Sequence, residues 1–223
     1  MLLHLAQWLD PAAVARLREL ASAARFVDGR ATAGTQLHDI KHNEQIAADD
    51  PALAEITALV LSALKQNASF RDATSPNRLH GLMLARYRPG MAYGLHVDAP
   101  LMGEQQVFRS DLSLTLFLSD PADYDGGELE LQTGVGSVAV KLAAGDLIAY
   151  DTGDPHQVRP VTRGERLVVV AWIQSFVRDA SVRAMLRDLA QARDEVFARE
   201  GRSATFERIN RTHANLLRRF AET

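Results

Sequence analysis

The stretch from Leu79 to Phe176 constrains this 223-residue chain more than any other feature. It divides into about eight short apolar segments, each bounded by a turn signal. The segments are Leu82 to Tyr87, Tyr93 to Asp98, Leu112 to Leu118, Gly127 to Leu131, Ser137 to Leu142, Asp146 to Tyr150, His156 to Val161 and Arg166 to Phe176. Between them stand Pro89-Gly90, Asp125-Gly126-Gly127, Gly134-Val135-Gly136, Gly145-Asp146, Gly153-Asp154-Pro155 and Arg163-Gly164. No helical segment intervenes, so a parallel α/β sheet is excluded and a jelly roll or barrel is expected.

Helices flank this region. Asp10-Pro11 is an N-cap followed by a proline whose missing N–H costs nothing at the first helical position. Val14, Leu17 and Leu20 then form an apolar face. Asp50-Pro51 repeats the device ahead of Leu53, Ile56, Leu59, Val60 and Leu64, while Gly29 to Gln45 between the two is polar and turn-rich. After Asp179 the helical period returns as two stripes. Val182, Met185, Leu186, Leu189, Val196 and Phe197 form one, and Phe206, Ile209, Leu216, Leu217 and Phe220 the other. The expected organisation is a mainly β domain over 1–177, with its core from about 79, and a helical extension over 178–223 that packs on the barrel or forms a homodimer.

Composition narrows the chemistry. With no cysteine, disulfides, zinc–thiolate sites, iron–sulfur clusters and cysteine nucleophiles are excluded, and any metal is held by nitrogen and oxygen. A net charge of −3 with no basic block argues against nucleic-acid binding. The longest apolar run, Leu167 to Ile173, is far too short for a membrane span. The first residues lack a basic region, so no signal peptide is read and a cytoplasmic location is expected.

His96-Val97-Asp98 is the strongest local signal. On a strand, residues i and i+2 face the same side, so an imidazole and a carboxylate project together. With the distant His156 they make a two-histidine, one-carboxylate set that leaves metal positions open, as in non-haem Fe(II) oxygenases. Arg166 lies ten residues after His156. A three-residue hairpin loop, Thr162-Arg163-Gly164 with Gly164 at positive φ, sets Pro160 opposite Arg166 and puts Arg166 on the face of His156. A guanidinium fork there suits the far carboxylate of a diacid chelating the metal. Residue by residue, other readings stand: a surface or core pair for His96 and Asp98, a turn residue for His156, a solvated strand-edge arginine for Arg166.

Together these residues resemble the Fe(II)/2-oxoglutarate dioxygenases. The wider context is similar to the bacterial PKHD-type hydroxylases of the prolyl-4-hydroxylase-like group, some linked to iron uptake. The matching stretches are Tyr93 to Asp98, Arg109 to Ser113 with Thr115 to Ser119, Tyr124 to Leu129, and Val140 to Leu142 with Ala144 to Leu147. His156 with Pro160 to Arg166, and Trp172 to Ser175, complete the set, and the likeness runs from Val27 to Arg218. The resemblance implies a double-stranded β-helix, with Fe(II) on His96, Asp98 and His156 and 2-oxoglutarate on Arg166. It also implies a hydrogen bond from Tyr87 to the oxoacid, and activity supported by ascorbate (vitamin C). Asp98 favours hydroxylation, because related halogenases lack that carboxylate.

Departures fall at the loop Pro100 to Phe108, at Asp151 to Pro155, and at His42, where asparagine is expected. These bear on an unidentified peptidyl or small-molecule substrate rather than on the cofactors. Lys41, Asn43 and Arg109 are placed at the substrate entrance, and Pro100 to Phe108 is read as a lid. Tyr93 and His213 are read as packed residues, and His38 and His42 as loop residues. A metal-binding cupin-like sensor without turnover, a nucleic-acid demethylase and a zinc hydrolase remain as alternatives.

Overall fold

Leu112 to Phe117 is buried along its whole length, and the protein is built outward from it. In the computed structural model, which describes residues 1–103 and 106–222, this segment is a central strand of a seven-stranded antiparallel sheet. The amino-terminal elements are β1 (Leu2–Leu5), α1 (Pro11–Ala23), β2 (Phe26–Asp28), β3 (Lys41–His42), β4 (Glu44–Ile46), α2 (Ala52–Gln66) and α3 (Ala68–Thr74). The next five are β5 (Pro76–Tyr87), β6 (Ala92–His96), β7 (Leu101–Met102), β8 (Phe108–Arg109) and β9 (Leu112–Phe117). β10 (Tyr124–Gly126), β11 (Leu129–Thr133), β12 (Gly136–Val140) and β13 (Leu147–Asp151) follow. β14 (His156–Val158), β15 (Val161–Gly164) and β16 (Arg166–Ser175) end the β region, and α4 (Ala180–Glu200) and α5 (Ala204–Phe220) come last.

The larger sheet runs β1-β13-β9-β16-β5-β4-β2 and the smaller β12-β11-β14-β6-β3. Alternation of side chains splits each inner strand between two environments. In β9, Leu112, Leu114 and Leu116 join Leu147, Val169 and Ala171 in a core capped by Leu17 of α1, Ile56 and Val60 of α2 and Phe70 of α3. The opposite face, including Phe117, Tyr87, Ile148 and Val168, packs on Leu129, Leu131 and Val158 of the smaller sheet. Two antiparallel sheets closed face to face are the jelly roll that the strand segmentation predicts.

The capped start of α1 is as expected: Asp10 accepts from Ala13 N–H, with proline in the first turn. At α2 the expected cap is shifted by one residue: Pro51 is the N-cap, the helix begins at Ala52, and the Asp50 carboxylate, two residues before it, accepts from Ala52 N–H. The reading of Gly29 to Gln45 as a polar, turn-rich connection is extended. It contains β3, which edges the smaller sheet, and leads into β4, which extends the larger one. β1, β2 and α3 are likewise additions, and β5 begins at Pro76 rather than Leu79.

The hairpin between His156 and Arg166 is also corrected. Gly164 does adopt φ +72°, but Val161 to Gly164 pair with β10, and Arg166 starts β16 opposite Tyr87. The chain therefore crosses between sheets at Glu165, and Pro160 does not oppose Arg166. A Cβ on Gly164 would lie 2.0 Å from the Asp123 carbonyl oxygen, so the close approach of β10 requires glycine as much as the φ does.

α4 packs on α3 and on α5. Arg183, buried, donates to Asp151 at 2.5 Å and to the Val177 carbonyl at 2.9 Å, and Asp151 also receives the Met1 ammonium. Of the two apolar stripes, Val182, Leu186 and Val196 are buried, whereas Met185, Phe197 and Phe220 are exposed. No helix of the described residues is long and apolar enough to cross a membrane.

Candidate functional site

The smaller sheet pairs His156 directly with His96 across β14 and β6. Asp98 follows two residues beyond β6's last residue, and its N–H donates to the Thr152 carbonyl at 3.3 Å, which ties the turn to the loop before β14. The three side chains present one nitrogen or oxygen each, all within 4.8 Å of one another. His96 Nε2 lies 4.0 Å and His156 Nε2 3.7 Å from Asp98 oxygens. Each imidazole uses its other nitrogen in the same way. His96 Nδ1 donates to the Gly94 carbonyl at 2.7 Å, and His156 Nδ1 to that of Asp154 at 2.9 Å. This tautomer leaves both Nε2 lone pairs directed at the gap beside Asp98, the orientation that metal-binding imidazoles take from a backbone acceptor. Burial, and then the neighbouring His156, push His96 well below the usual imidazole range, so it is neutral at pH 7. Ser113 donates to Asp98 and orients its carboxylate.

These groups line a cavity of about 420 Å³ between the sheets. Arg166 lines the same cavity from the larger sheet. It is 2% exposed, and it faces His156 from across the cavity rather than from a hairpin neighbour. Its guanidinium lies over the rings of Tyr87 and Phe117, at 5.1 and 5.5 Å from their centroids. Among the described residues Nε has no partner and no carboxylate lies within 4.0 Å of the guanidinium. A buried cation without an anion is costly, so the site is shaped for a ligand that brings one. Burial pushes the Tyr87 phenol up, more than Arg166 pulls it down, and it stays a proton donor beside that position.

Lys41, on the edge strand β3 of the smaller sheet, and Asn43, between β3 and β4, line the cavity and are buried rather than at its rim. Arg109 is corrected. It lies outside the lining and pairs with Asp111 at 2.6 Å and Glu222 at 2.6 Å, tying the chain's end to β8. The expected lid holds paired β7 and β8, with Met102 in the cavity wall; its Glu104 and Gln105 lie outside the described residues. His38 and His42 are exposed and bond to the carbonyls of Ala33 and Asp39. His213 is half-buried on α5, and Tyr93 stacks on His96 with centroids 3.7 Å apart.

Several lining residues were missed. Ser113 and Thr115 are polar at i and i+2 in an otherwise apolar strand, a signal that could have marked the cavity face. Trp172 lies on the cavity face of β16, its indole N–H buried without a partner among the described residues. A bulge sets it there. Val170 and Trp172 pair with Met83 and His80, so β5 carries one extra residue, and Gly81 at φ +65° occupies it. A Cβ on Gly81 would lie 2.8 Å from the indole ring.

Residues 82–174 match the family model of the 2OG-Fe(II) oxygenase superfamily. A PKHD-type hydroxylase of Maricaulis maris is 45% identical over 222 residues, and one of Crocosphaera subtropica 41% over 222, each match covering 100% of both chains. Among solved structures, a Pseudomonas putida prolyl-4-hydroxylase aligns with TM-score 0.52 at 24% identity, covering 78% of this chain and 92% of its own. HygX of Streptomyces hygroscopicus, crystallised with nickel and 2-oxoglutarate, aligns with TM-score 0.57 at 16% identity, covering 78% and 82%. Both share the fold. The family is one of Fe(II)- and 2-oxoglutarate-using enzymes, and the donor set and the unpaired guanidinium of this cavity suit those two groups. The chain belongs to the PKHD-type hydroxylases of the 2OG-Fe(II) oxygenase superfamily and is an oxidoreductase of the dioxygenase class.

Proposed function

We propose that His96, Asp98 and His156 hold Fe(II), that Arg166 and Tyr87 hold 2-oxoglutarate, and that the enzyme hydroxylates a small molecule or a peptide side chain inserted between the sheets. The observation that carries this reading is the pairing, in one cavity, of a preoriented His-Asp-His set with a buried guanidinium that lacks a counterion. When bound, the iron and the oxoacid together activate O₂, yielding succinate, CO₂ and a hydroxylated substrate. The protein's own part is positional. The backbone acceptors of Gly94 and Asp154 lock the two imidazoles, and Ser113 aims Asp98. The Arg166 fork anchors the oxoacid's far carboxylate, and the surrounding walls keep bulk water out. HygX, with a similar fold, binds nickel and 2-oxoglutarate, which adds support.

Anaerobic titration of the full chain with Fe(II) and then 2-oxoglutarate tests this directly. A visible metal-to-ligand absorption band should appear at one equivalent of each, and admitting O₂ should release succinate. Absence of both the band and succinate would overturn the reading. A cytoplasmic location, support by ascorbate, a link to iron uptake and a homodimer formed through α4 and α5 belong to the same proposal. The first three rest on the sequence and its family resemblance, the last on the exposed Met185, Phe197 and Phe220.

A further inference from the structure

Lys41 is the unusual residue of this cavity. It lies on the two-residue strand β3, paired with Tyr93 of β6, and only 6% of it is exposed. An ammonium has three protons to donate. Among the described residues only one bond uses them, to Thr32 Oγ1 at 3.0 Å. That hydroxyl in turn bonds to Gln45 Oε1 at 2.8 Å and the Gly29 carbonyl at 3.1 Å, so Thr32 holds Nζ in place without neutralising it. Nζ lies 5.2 Å from the centroid of the Tyr93 ring, and that ring stacks on His96. The cation therefore sits one aromatic ring away from the His-Asp-His set.

No carboxylate lies within 4.0 Å of Nζ among the described residues. Burial pushes the pKa of the Lys41 ammonium down to about 8, outweighing the upward pull of two acidic groups farther off, Asp98 and Asp28, and it remains mostly charged at pH 7. Asp28 is engaged by Arg30 at 2.8 Å, and Asp98 faces the metal position. The charges of the loaded site also leave Lys41 out. Two charges on Fe(II) and one on Arg166 are matched by Asp98 and the two carboxylates of the oxoacid. One cation remains, buried and uncompensated, in a cavity that must also admit substrate. One part of the larger sheet's wall, formed by Met83, Val170 and Trp172, is apolar except for the indole N–H of Trp172, which has no acceptor among the described residues.

Building on the proposed function, we infer that Lys41 is a specificity-determining residue that receives a carboxylate of the substrate. The substrate is then a molecule whose carboxylate pairs with Nζ while an apolar portion lies against Met83, Val170 and Trp172. At about 420 Å³, a volume shared with the oxoacid, the cavity takes one side chain or a small acid rather than a folded surface. The carboxylate has two sources, a free small acid or an acidic side chain in a peptide.

The test uses the full chain loaded anaerobically with Fe(II) and 2-oxoglutarate, and reads binding by calorimetry and by perturbation of the visible band. The probes are matched pairs: N-acetyl-leucine against N-acetyl-leucinamide, and a blocked tripeptide with a central glutamate against its glutamine counterpart. In at least one pair the acid should bind ~10-fold more tightly than the amide. The pair that shows the preference identifies the source. Lys41→Met should abolish the preference, and Lys41→Arg should keep most of it, while affinity for 2-oxoglutarate changes little in both. Equal binding of acids and amides, or a preference that survives Lys41→Met, would overturn the inference. A large loss of 2-oxoglutarate affinity in Lys41→Met would also overturn it, by moving Lys41 to the oxoacid. If the band never forms in the wild-type protein, the proposed function fails first, and the two failures are thereby distinguished.

Discussion

The proposed function gives His156 and Arg166, on opposite sheets, different ligands, and exchanging each should give a distinct loss. His156→Ala removes one of three donors and should abolish stoichiometric Fe(II) binding in an anaerobic titration. Arg166→Lys keeps the charge but loses the planar fork, so affinity for 2-oxoglutarate should fall by at least ~10-fold, about 1.4 kcal/mol. Iron binding should survive that second change, because Arg166 faces the His-Asp-His set from the other sheet. Unchanged oxoacid affinity would remove Arg166 from the ligand site. At this scale much was readable: His96, Asp98, His156 and Arg166 all line the cavity. Arg109 was not readable, because its partners Asp111 and Glu222 lie 2 and 113 residues away, and only the folded chain brings Glu222 back to β8.

Between the sheets, the strand β15 and the single residue after it decide where Arg166 points. Gly164 meets the Asp123 backbone at a distance no Cβ tolerates, and its φ is one that a branched side chain adopts only under strain. Gly164→Val should therefore cost about 1–3 kcal/mol from the backbone conformation alone. For a chain of this size each such kilocalorie lowers Tm by about 2–4 °C. Affinity for 2-oxoglutarate should fall as well, because the disturbed crossover leads straight into Arg166. A variant with wild-type Tm and oxoacid affinity would show that β10 and β15 do not hold the crossover. The positive φ was legible from the glycine and its position. The strand partner was not, because β15 pairs with β10, some forty residues earlier in the chain, instead of with its neighbour β16.

Across the whole molecule, Arg183 connects the C-terminal helices to β13 of the larger sheet, next to the loop that holds Asp98. Its guanidinium joins Asp151 at the end of β13, beside Thr152, whose carbonyl accepts from Asp98 N–H. Deleting everything after Val177 would bare Val177 and the face of α3 and leave Asp151 without this partner. The truncated protein should aggregate, or melt several degrees lower, in a thermal scan. Sedimentation of the intact chain should give twice the monomer mass, with Met185, Phe197 and Phe220 in the contact. A soluble, fully active monomer after truncation would show that neither packing nor assembly needs these helices.

The sequence by itself determined which residues pair with the core and which chemistry is available. Its turn signals divide Leu79 to Phe176 into strands, its Asp10 cap starts α1, and its lack of cysteine leaves only nitrogen and oxygen donors for a metal. Those features are local, set by backbone conformation and by side-chain chemistry within a few residues. Tertiary structure decided the rest. β1 to β4 are short, and β2 and β3 are half-exposed or polar, so they become strands only because an existing sheet edge offers hydrogen-bond partners. Lys41 shows the same dependence: two residues of an edge strand have no intrinsic reason to be buried. Pairing with Tyr93 draws that lysine into a cavity already holding His96, Asp98, His156 and Arg166, and there burial turns an ordinary surface residue into a cation that needs a partner.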